Sequence, residues 1–346
     1  MHNAMALYGA LAAGELPKRV PVICNLIDQG AAVLGMNNRA YYSSAQNVAE
    51  GQLRLLEKYG HDVVWGAHYI ARISEIVGAK RTLYVDNGPP NVGDLVIKKW
   101  DDIEKLTIPK NIAAHPSFEI QAETIRLLKH EVAGNIPVCA FAVGAFSLPT
   151  ILMGIDGWME LLLTGPTALV SELMTKCSDL AIALTMAFRT AGADFVAYAN
   201  PCASTDFFSL SQIEALALPW IIRDATAIGN TGLIYFCGGA RIEPVISLLM
   251  AHTPYNIFYL NPFDDIVSAK TKANGNALVV APVNDILLID HSSEAIREMV
   301  RQVVAKGAPN GAFLLGTLMM PCQIPEANIH TMIEAAHEFG TYTSNA

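Results

Sequence analysis

Apolar residues in this chain gather into eight short runs, separated by longer stretches of helical periodicity. The runs cover 21–26, 63–68, 137–144, 195–201, 233–238, 257–262, 277–283 and 312–319. Each is too short for a helix, and several are rich in Val, Ile, Phe or Tyr, as buried strands are. Between them the spacing predicts helices over 118–133, 167–191, 212–228, 293–306 and 326–339. Gly134, Gly192, Gly229, Gly275, Gly307 and Gly340 close helical patterns, where a left-handed cap favours glycine. Pro116 and Pro166 suit first-turn positions.

Alternating strands and helices imply a parallel sheet with helices outside it. Eight such units close into an α/β fold of the (β/α)8 TIM-barrel type. An open doubly wound sheet is the alternative, but no GxGxxG follows any of the runs. Two pieces fall outside the eight-fold count. Residues 1–18 read as an N-terminal helical arm. Residues 82–85, 86–90 and 93–97 read as a β-hairpin excursion after the second unit. No linker rich in Gly, Ser or Pro divides the chain, so one domain over 1–346 is expected.

Composition narrows the function. A chain of 346 residues that is 52% hydrophobic can bury a large core. A net charge of −9 without a basic run argues against nucleic-acid binding. Six cysteines without a CxxC pair suit a reducing cytoplasm, and the N-terminus lacks the pattern of a signal peptide. Residues 136–155 carry no charge over the length of a membrane span. Pro137, Gly144, Ser147, Pro149 and Thr150 interrupt that stretch, so it reads as strand, loop and helix start rather than a span.

Barrel chemistry sits at the C-terminal strand ends. Those ends hold Cys24 and Asn25, His68, Gly144, Asn200 and Cys202, Tyr235 and Cys237, Asn261 and Asp264, Asn284 and Asp285, and Cys322. Neutral amides and thiols dominate. No paired carboxylates of glycosidase type are evident, and no HExxH, GxSxG or phosphate-binding loop occurs. Cys237 and Cys322 read either as ligands of a soft metal, zinc above all, or as two buried thiols. Tyr235 shares a strand face with Cys237 and reads as a catalytic or ligating group, or as a buried ring. His68 is a base, a ligand or a core histidine. Cys202 is a third sulfur ligand or a plain thiol. Asn200 is a candidate catalytic amide; Asn25, Asn261 and Asn284 orient a substrate or close turns. Asp264 and Asp265 read as helix caps.

Six stretches carry a family resemblance: VGAFSLPTILMGIDGWMELLLTGPTAL (143–169), AGADFVAYANPCAS (191–204), FFSLSQIEALALPWI (207–221), IYFCGG (234–239), APVNDILLIDHSSEAI (281–296) and MPCQIPEANIHTMIEAA (320–336). From about residue 20 to 340 the chain resembles the uroporphyrinogen decarboxylase superfamily, in its branch of cobalamin-dependent methyltransferases such as methylcobalamin:coenzyme M methyltransferase. True decarboxylases carry an arginine-rich motif after the first strand, which holds the carboxylates of the porphyrinogen. Here that place reads Cys24-Asn-Leu-Ile-Asp-Gln-Gly-Ala-Ala, with no arginine before Arg39. Their aspartate motif near the second strand is also missing. The methyltransferase branch binds zinc through His-x-Cys at the fifth strand and a Cys at the eighth. Cys237 and Cys322 match the cysteines, and Tyr235 stands at the histidine.

The resemblance implies a corrinoid-dependent methyltransferase. It would move a methyl group between a corrinoid protein and a small thiol or methylated substrate, with one zinc per chain as Lewis acid. Cys202, His68 or Tyr235 would complete the ligand set. The partners implied are a methylcobalamin-type corrinoid carried by a separate protein and a small methyl donor or acceptor. A metal-free decarboxylase-like lyase and a non-catalytic corrinoid-protein partner are the alternatives. No membrane or nucleic acid enters any of these readings, and the oligomeric state is open.

Overall fold

A computed structural model describes residues 2–67, 69–85 and 88–342. Each apolar run contains a strand: β1 (Val22–Asn25), β2 (Val64–Ala67), β3 (Val138–Val143), β4 (Phe195–Ala199), β5 (Leu233–Phe236), β6 (Ile257–Tyr259), β7 (Leu278–Val283) and β8 (Phe313–Met319). They form one sheet in the order β1-β8-β7-β6-β5-β4-β3-β2, and every pairing is parallel. Helices cover the outside, so the expected (β/α)8 barrel is the fold observed. The strands are buried on both faces, which is why they read as continuous apolar runs rather than alternating ones.

The helices follow the periodicity with three informative differences. The helix Thr167–Ala191 ends on Gly192 at φ +111°, as a left-handed cap requires. Gly307 and Gly340 are not caps of that kind. Gly307 is the last residue of its own helix, Ser293–Gly307, and is needed for packing: a Cβ there would lie 2.0 Å from the ring of Phe313. The helix expected over 212–228 is broken into a first turn, Leu210–Gln212, a wide π turn, Ile213–Ala217, and a regular helix, Leu218–Ile228. Pro219 opens that last segment. It has no N–H for the preceding turn, and its ring crowds the carbonyl four residues back, which favours the wider turn.

The N-terminal helix Met5–Ala12 closes the bottom of the barrel. Its Tyr8 ring packs on Phe195 at 5.4 Å, and its hydroxyl donates to the Asp62 carbonyl at 3.2 Å. The hairpin pairs Thr82–Val85 with Gly88–Val92. The second strand was expected at 93–97 and lies earlier, despite Pro89 and Pro90. A two-stranded ribbon has unpaired edges, where a missing N–H costs nothing. The uncharged stretch 136–155 forms β3, a loop and the helix Leu148–Met153. Among the described residues no helix is long and apolar enough to cross a membrane.

β1 and β2 are the sheet's two ends and share no strand ladder. Side chains join them instead. The Asp62 carboxylate accepts the Val22 N–H at 2.7 Å, and the Asp62 N–H donates to the Val22 carbonyl at 2.9 Å. One turn higher, Gln52 donates to the Leu26 carbonyl at 2.7 Å and accepts the Trp65 N–H at 3.0 Å. The Trp65 indole donates to the Cys24 carbonyl at 3.2 Å. Arg19 grips Asp62 with two nitrogens at 2.6 and 2.8 Å, and His2 adds a contact at 2.8 Å.

Burial by itself would raise the Asp62 carboxyl. The hydrogen bonds from Arg19 and His2, with help from the Val22 N–H, outweigh it and hold it at about 2. Its stabilising contribution is therefore complete above the unfolded carboxylate value near pH 4 and is lost as pH falls through 2. Asp62→Asn is expected to cost about 3 kcal/mol at neutral pH, because it leaves Arg19 without its charge partner. The variant should also show a shallower loss of stability between about pH 4 and pH 2. Urea denaturation across pH checks both; an unchanged midpoint and acid limb would show that the seam does not depend on this pair.

Candidate active site

The C-terminal strand ends open into a cavity of about 620 Å³. Phe141 of β3, Phe236 of β5 and Leu318 and Met319 of β8 wall it, and Pro89 and Pro90 of the hairpin roof it. Phe141 meets Phe236 edge-on at 5.9 Å, and Phe236 meets Tyr259 at 4.9 Å. The buried Asn38 holds the roof down: its amide donates to the Val85 carbonyl at 2.9 Å and the Gly88 carbonyl at 2.8 Å. Beyond β5 the backbone turns through Gly238 at φ +60°, where a Cβ would also meet Pro201 at 2.9 Å. Glycine at 238 lets this turn form the cavity wall.

Two polar side chains sit deep in this apolar space. Asn25, at the end of β1, is 1% exposed, and both of its amide atoms lack a hydrogen-bond partner. Asp285, just past β7, is 2% exposed, and its Oδ2 has none either. Burial pushes the Asp285 carboxyl up to about 7, although the N–H groups of Asp285 and Ile286 pull the other way. The titratable neighbours that feel its charge are Cys24, Cys237 and Tyr259. No Lys, Arg or His occurs among the described residues that line the cavity.

Of the residues singled out in the sequence, Asn25 lines the cavity. Tyr235 does not. Strand residues alternate faces, and its neighbour Phe236 takes the inward position. Tyr235 pairs in register with Tyr198, whose hydroxyl reaches Asp224 on the outer helix Leu218–Ile228. The Tyr235 ring packs edge-on against Tyr255 at 5.1 Å, with an unpartnered hydroxyl. Its placement contradicts the reading of Tyr235 as a metal ligand or catalytic group of the lumen. Cys202 is buried on the same side, close enough to raise the Tyr235 phenol beyond what burial does, and its N–H donates to the Ser147 hydroxyl at 3.1 Å.

Asn200 is fully buried against Gly144 with both amide atoms unpartnered, and it does not line the cavity. Asn261 is satisfied within the protein, donating to the Gly239 carbonyl of the loop after β5 at 2.7 Å and accepting the Phe263 N–H of its own turn at 2.9 Å. Asn284 is half-buried in a separate outer cleft beside Phe263 and Leu287. Asp265 caps the helix Ile266–Ala273, while Asp264 accepts the N–H groups of Asn261, Ile242 and Glu243. His68 lies outside the described residues.

Cys237 is fully buried and Cys322 half-buried; burial lifts their thiols to about 12 and about 11. Among the described residues no three His, Cys, Asp or Glu side chains come together as a metal site. With Tyr235 turned outward and Cys202 on that outer side, neither completes a zinc centre with Cys237 and Cys322, and His68, the remaining candidate ligand, lies outside the described residues. Asp285 stood among the strand-end residues of the sequence, but no role was assigned to it. The signal for one was a lone carboxylate just past a buried strand, followed by the apolar Ile286-Leu-Leu.

The family model described as uroporphyrinogen decarboxylase (URO-D) matches residues 4–339. The chain belongs to the uroporphyrinogen decarboxylase family. Within that family it is 27% identical to the methylcobamide:CoM methyltransferase MtbA of Methanosarcina acetivorans, over 93% of this chain and 94% of that one. It is 24% identical to the uroporphyrinogen decarboxylase of Geobacter sulfurreducens, over 74% and 75%. A solved methyltransferase from Methanosarcina mazei shares the fold of this family member at a TM-score of 0.85 and 19% identity, covering 98% of this chain and 99% of that one.

Two measurements test this site. The raised Asp285 carboxyl favours the folded state fully below the unfolded value near pH 4, and that contribution disappears as pH rises through about 7. Asp285→Asn should therefore melt higher than wild type at pH 8 and at the same temperature at pH 4. Equal melting curves at both pH values would mean that the carboxyl is not strained by burial. Metal analysis of protein purified without chelator should find well under one zinc per chain; stoichiometric zinc that vanishes in Cys237→Ser would restore the thiol centre.

Proposed function

We propose that this chain is a methyltransferase that works with a corrinoid protein, moving a methyl group between the corrinoid and a small molecule held in the barrel-mouth cavity. The observation that carries this reading is the absence of any cationic side chain among the described lining residues of that cavity. Decarboxylation of a porphyrinogen requires a site for several carboxylates, and carboxylates in an apolar cavity need cationic or multiple hydrogen-bonding partners. The cavity instead offers the buried Asn25 amide, the Asn91 amide of the hairpin, one carboxyl with a raised pKa and mainly apolar walls. Methyl transfer of a small molecule makes no such demand for cations. The full-length likeness to methylcobamide:CoM methyltransferases supports the same branch.

The rim of the mouth suits a docking protein. Phe263 after β6 is 76% exposed, Ile286 after β7 is 57% exposed, and Phe207, Leu287, Met319 and Val85 are exposed on neighbouring loops and the hairpin. Large apolar side chains gathered on one face mark interaction surfaces. A corrinoid carried on a partner protein would approach the cavity across this rim. The chain's own part is to hold the small molecule against Asn25 and Asp285, keep water away with the Phe141 and Phe236 rings, and receive the partner over the hairpin. No step here is assigned to zinc.

The test is methyl exchange with free cobalamin, followed by the cobalamin absorbance change. Wild type should demethylate methylcobalamin in the presence of a small acceptor, or methylate cob(I)alamin from a small donor, and should leave uroporphyrinogen unchanged. Porphyrinogen decarboxylation without methyl exchange would overturn the reading. Phe263→Asp should keep exchange with free cobalamin, and should lose about tenfold with a corrinoid protein, by placing a charge in the apolar rim.

A further inference from the structure

We propose that the barrel carries a second binding site at its N-terminal end, a groove whose ligand is an uncharged, hydroxyl-rich ring of saccharide type. This groove is separate from the barrel mouth and stands independently of the methyl-transfer reading.

The groove lies under β4 to β8, beside the N-terminal helix, and encloses about 610 Å³. The arm covers this end only in part. After Ala12 the chain turns at Gly14, φ +74°, and lays Leu16 against Gly311, where a Cβ would meet the Leu16 side chain at 2.8 Å. Leu16 is still 59% exposed and forms one wall. Phe195, Ile257 and Leu278, at the starts of β4, β6 and β7, give the groove an apolar floor.

Four asparagines surround that floor, one from each of four successive turns. Asn230 precedes β5, Asn256 precedes β6, Asn276 precedes β7 and Asn310 precedes β8. All four residues are exposed. Among the described residues, none of their side-chain amides makes a hydrogen bond. Asparagine in such turns ordinarily supplies a left-handed backbone or a side-chain bond that closes the turn. Asn310, at φ +63°, does the first. Asn230, Asn256 and Asn276 do neither. Gly229, Gly232 and Gly275 take the left-handed positions in the turns around Asn230 and Asn276. The bottom of a barrel of this type commonly serves stability, but these amides contribute no bond to it. They point to something bound from outside.

Charge and hydrogen-bonding capacity then select the ligand class. Glu15 is the one charged residue among the described residues of the lining, so a phosphate or carboxylate would find no cation here. A primary amide both donates and accepts, and so does a hydroxyl group. A saccharide ring carries hydroxyls around its edge and C–H groups on its face. Amides around an apolar floor match both features, and the volume is that of a small-molecule site.

Saturation-transfer NMR of the full chain with maltose, trehalose and lactose tests the proposal, with glucuronate as the anionic comparison. At least one of the neutral sugars should receive transfer, and glucuronate should bind about fivefold more weakly or worse. The double variant Asn256→Ala/Asn276→Ala should weaken binding of the neutral sugar about tenfold. It should melt with wild type, because both side chains are exposed and unbonded. Asn25→Ala, at the opposite end of the barrel, should bind the sugar as wild type does. Transfer to none of the three sugars, or transfer that the double variant does not reduce, would overturn the proposal. Loss of binding in Asn25→Ala with the double variant unaffected would move the sugar to the mouth and overturn it as well. Equal or tighter binding of glucuronate would overturn the ligand class.

Discussion

Closure of the barrel between β1 and β2 is the constraint on which the site depends. Seven strand pairs are joined by backbone ladders, and the eighth contact is made by side chains together with the backbone bond from the Asp62 N–H to the Val22 carbonyl. Asp62 and Gln52 each present two hydrogen-bonding functions to opposite sides of the seam, so each replaces a piece of missing ladder. Such an arrangement is directional and buried, and its groups have no water to fall back on. It sets the position of β1 relative to β2, and thereby the place of Asn25 at the cavity. It also sets where the chain leaving β2 begins, and that chain builds the hairpin roof.

The same chain satisfies its polar groups with care at the seam and leaves them unsatisfied at the mouth. Asp62 receives hydrogen bonds from Arg19, His2 and Val22, and its carboxyl is held low. Asp285, similarly excluded from water, receives only N–H groups of its own turn, and its carboxyl is pushed up. The contrast is one of partners rather than burial. Unpartnered polar groups cost stability, and proteins keep such groups at sites where something else is meant to bind. Asn200 and Tyr235 have orphaned atoms too, but they face packed protein, not the cavity.

The relatives that this chain resembles carry two different activities in their names. Here the described lining of the mouth cavity is uncharged apart from a single carboxyl near its neutral form. The rim above it is apolar, from Phe263 to the hairpin. A mainly apolar cavity below and an apolar rim above are the two surfaces that the barrel mouth presents.

The sequence alone was enough to reveal the barrel. Eight buried strands leave eight apolar runs, and amphipathic helices between them leave a 3.6-residue period, because each is a local pattern read along the chain. It also marked the strand ends, and so placed Asn25 and Asp285 among the positions where chemistry could lie. It did not distinguish the inward from the outward face of a strand buried on both sides. Tyr235 and Phe236 are both apolar-compatible, and only the register with Tyr198 and its bond to Asp224 shows that Phe236 takes the lumen and Tyr235 the helix layer. Nor could it distinguish an asparagine whose amide is satisfied by its own turn and a neighbouring loop, as Asn261 is, from one whose amide has no partner in the protein, as Asn25 is. Hydrophobic periodicity is a property of neighbours in sequence. Which groups share a cavity, and which hydrogen bonds remain unmade, are properties of residues brought together from β1, β3, β5, β7 and β8, and only the closed barrel decides them.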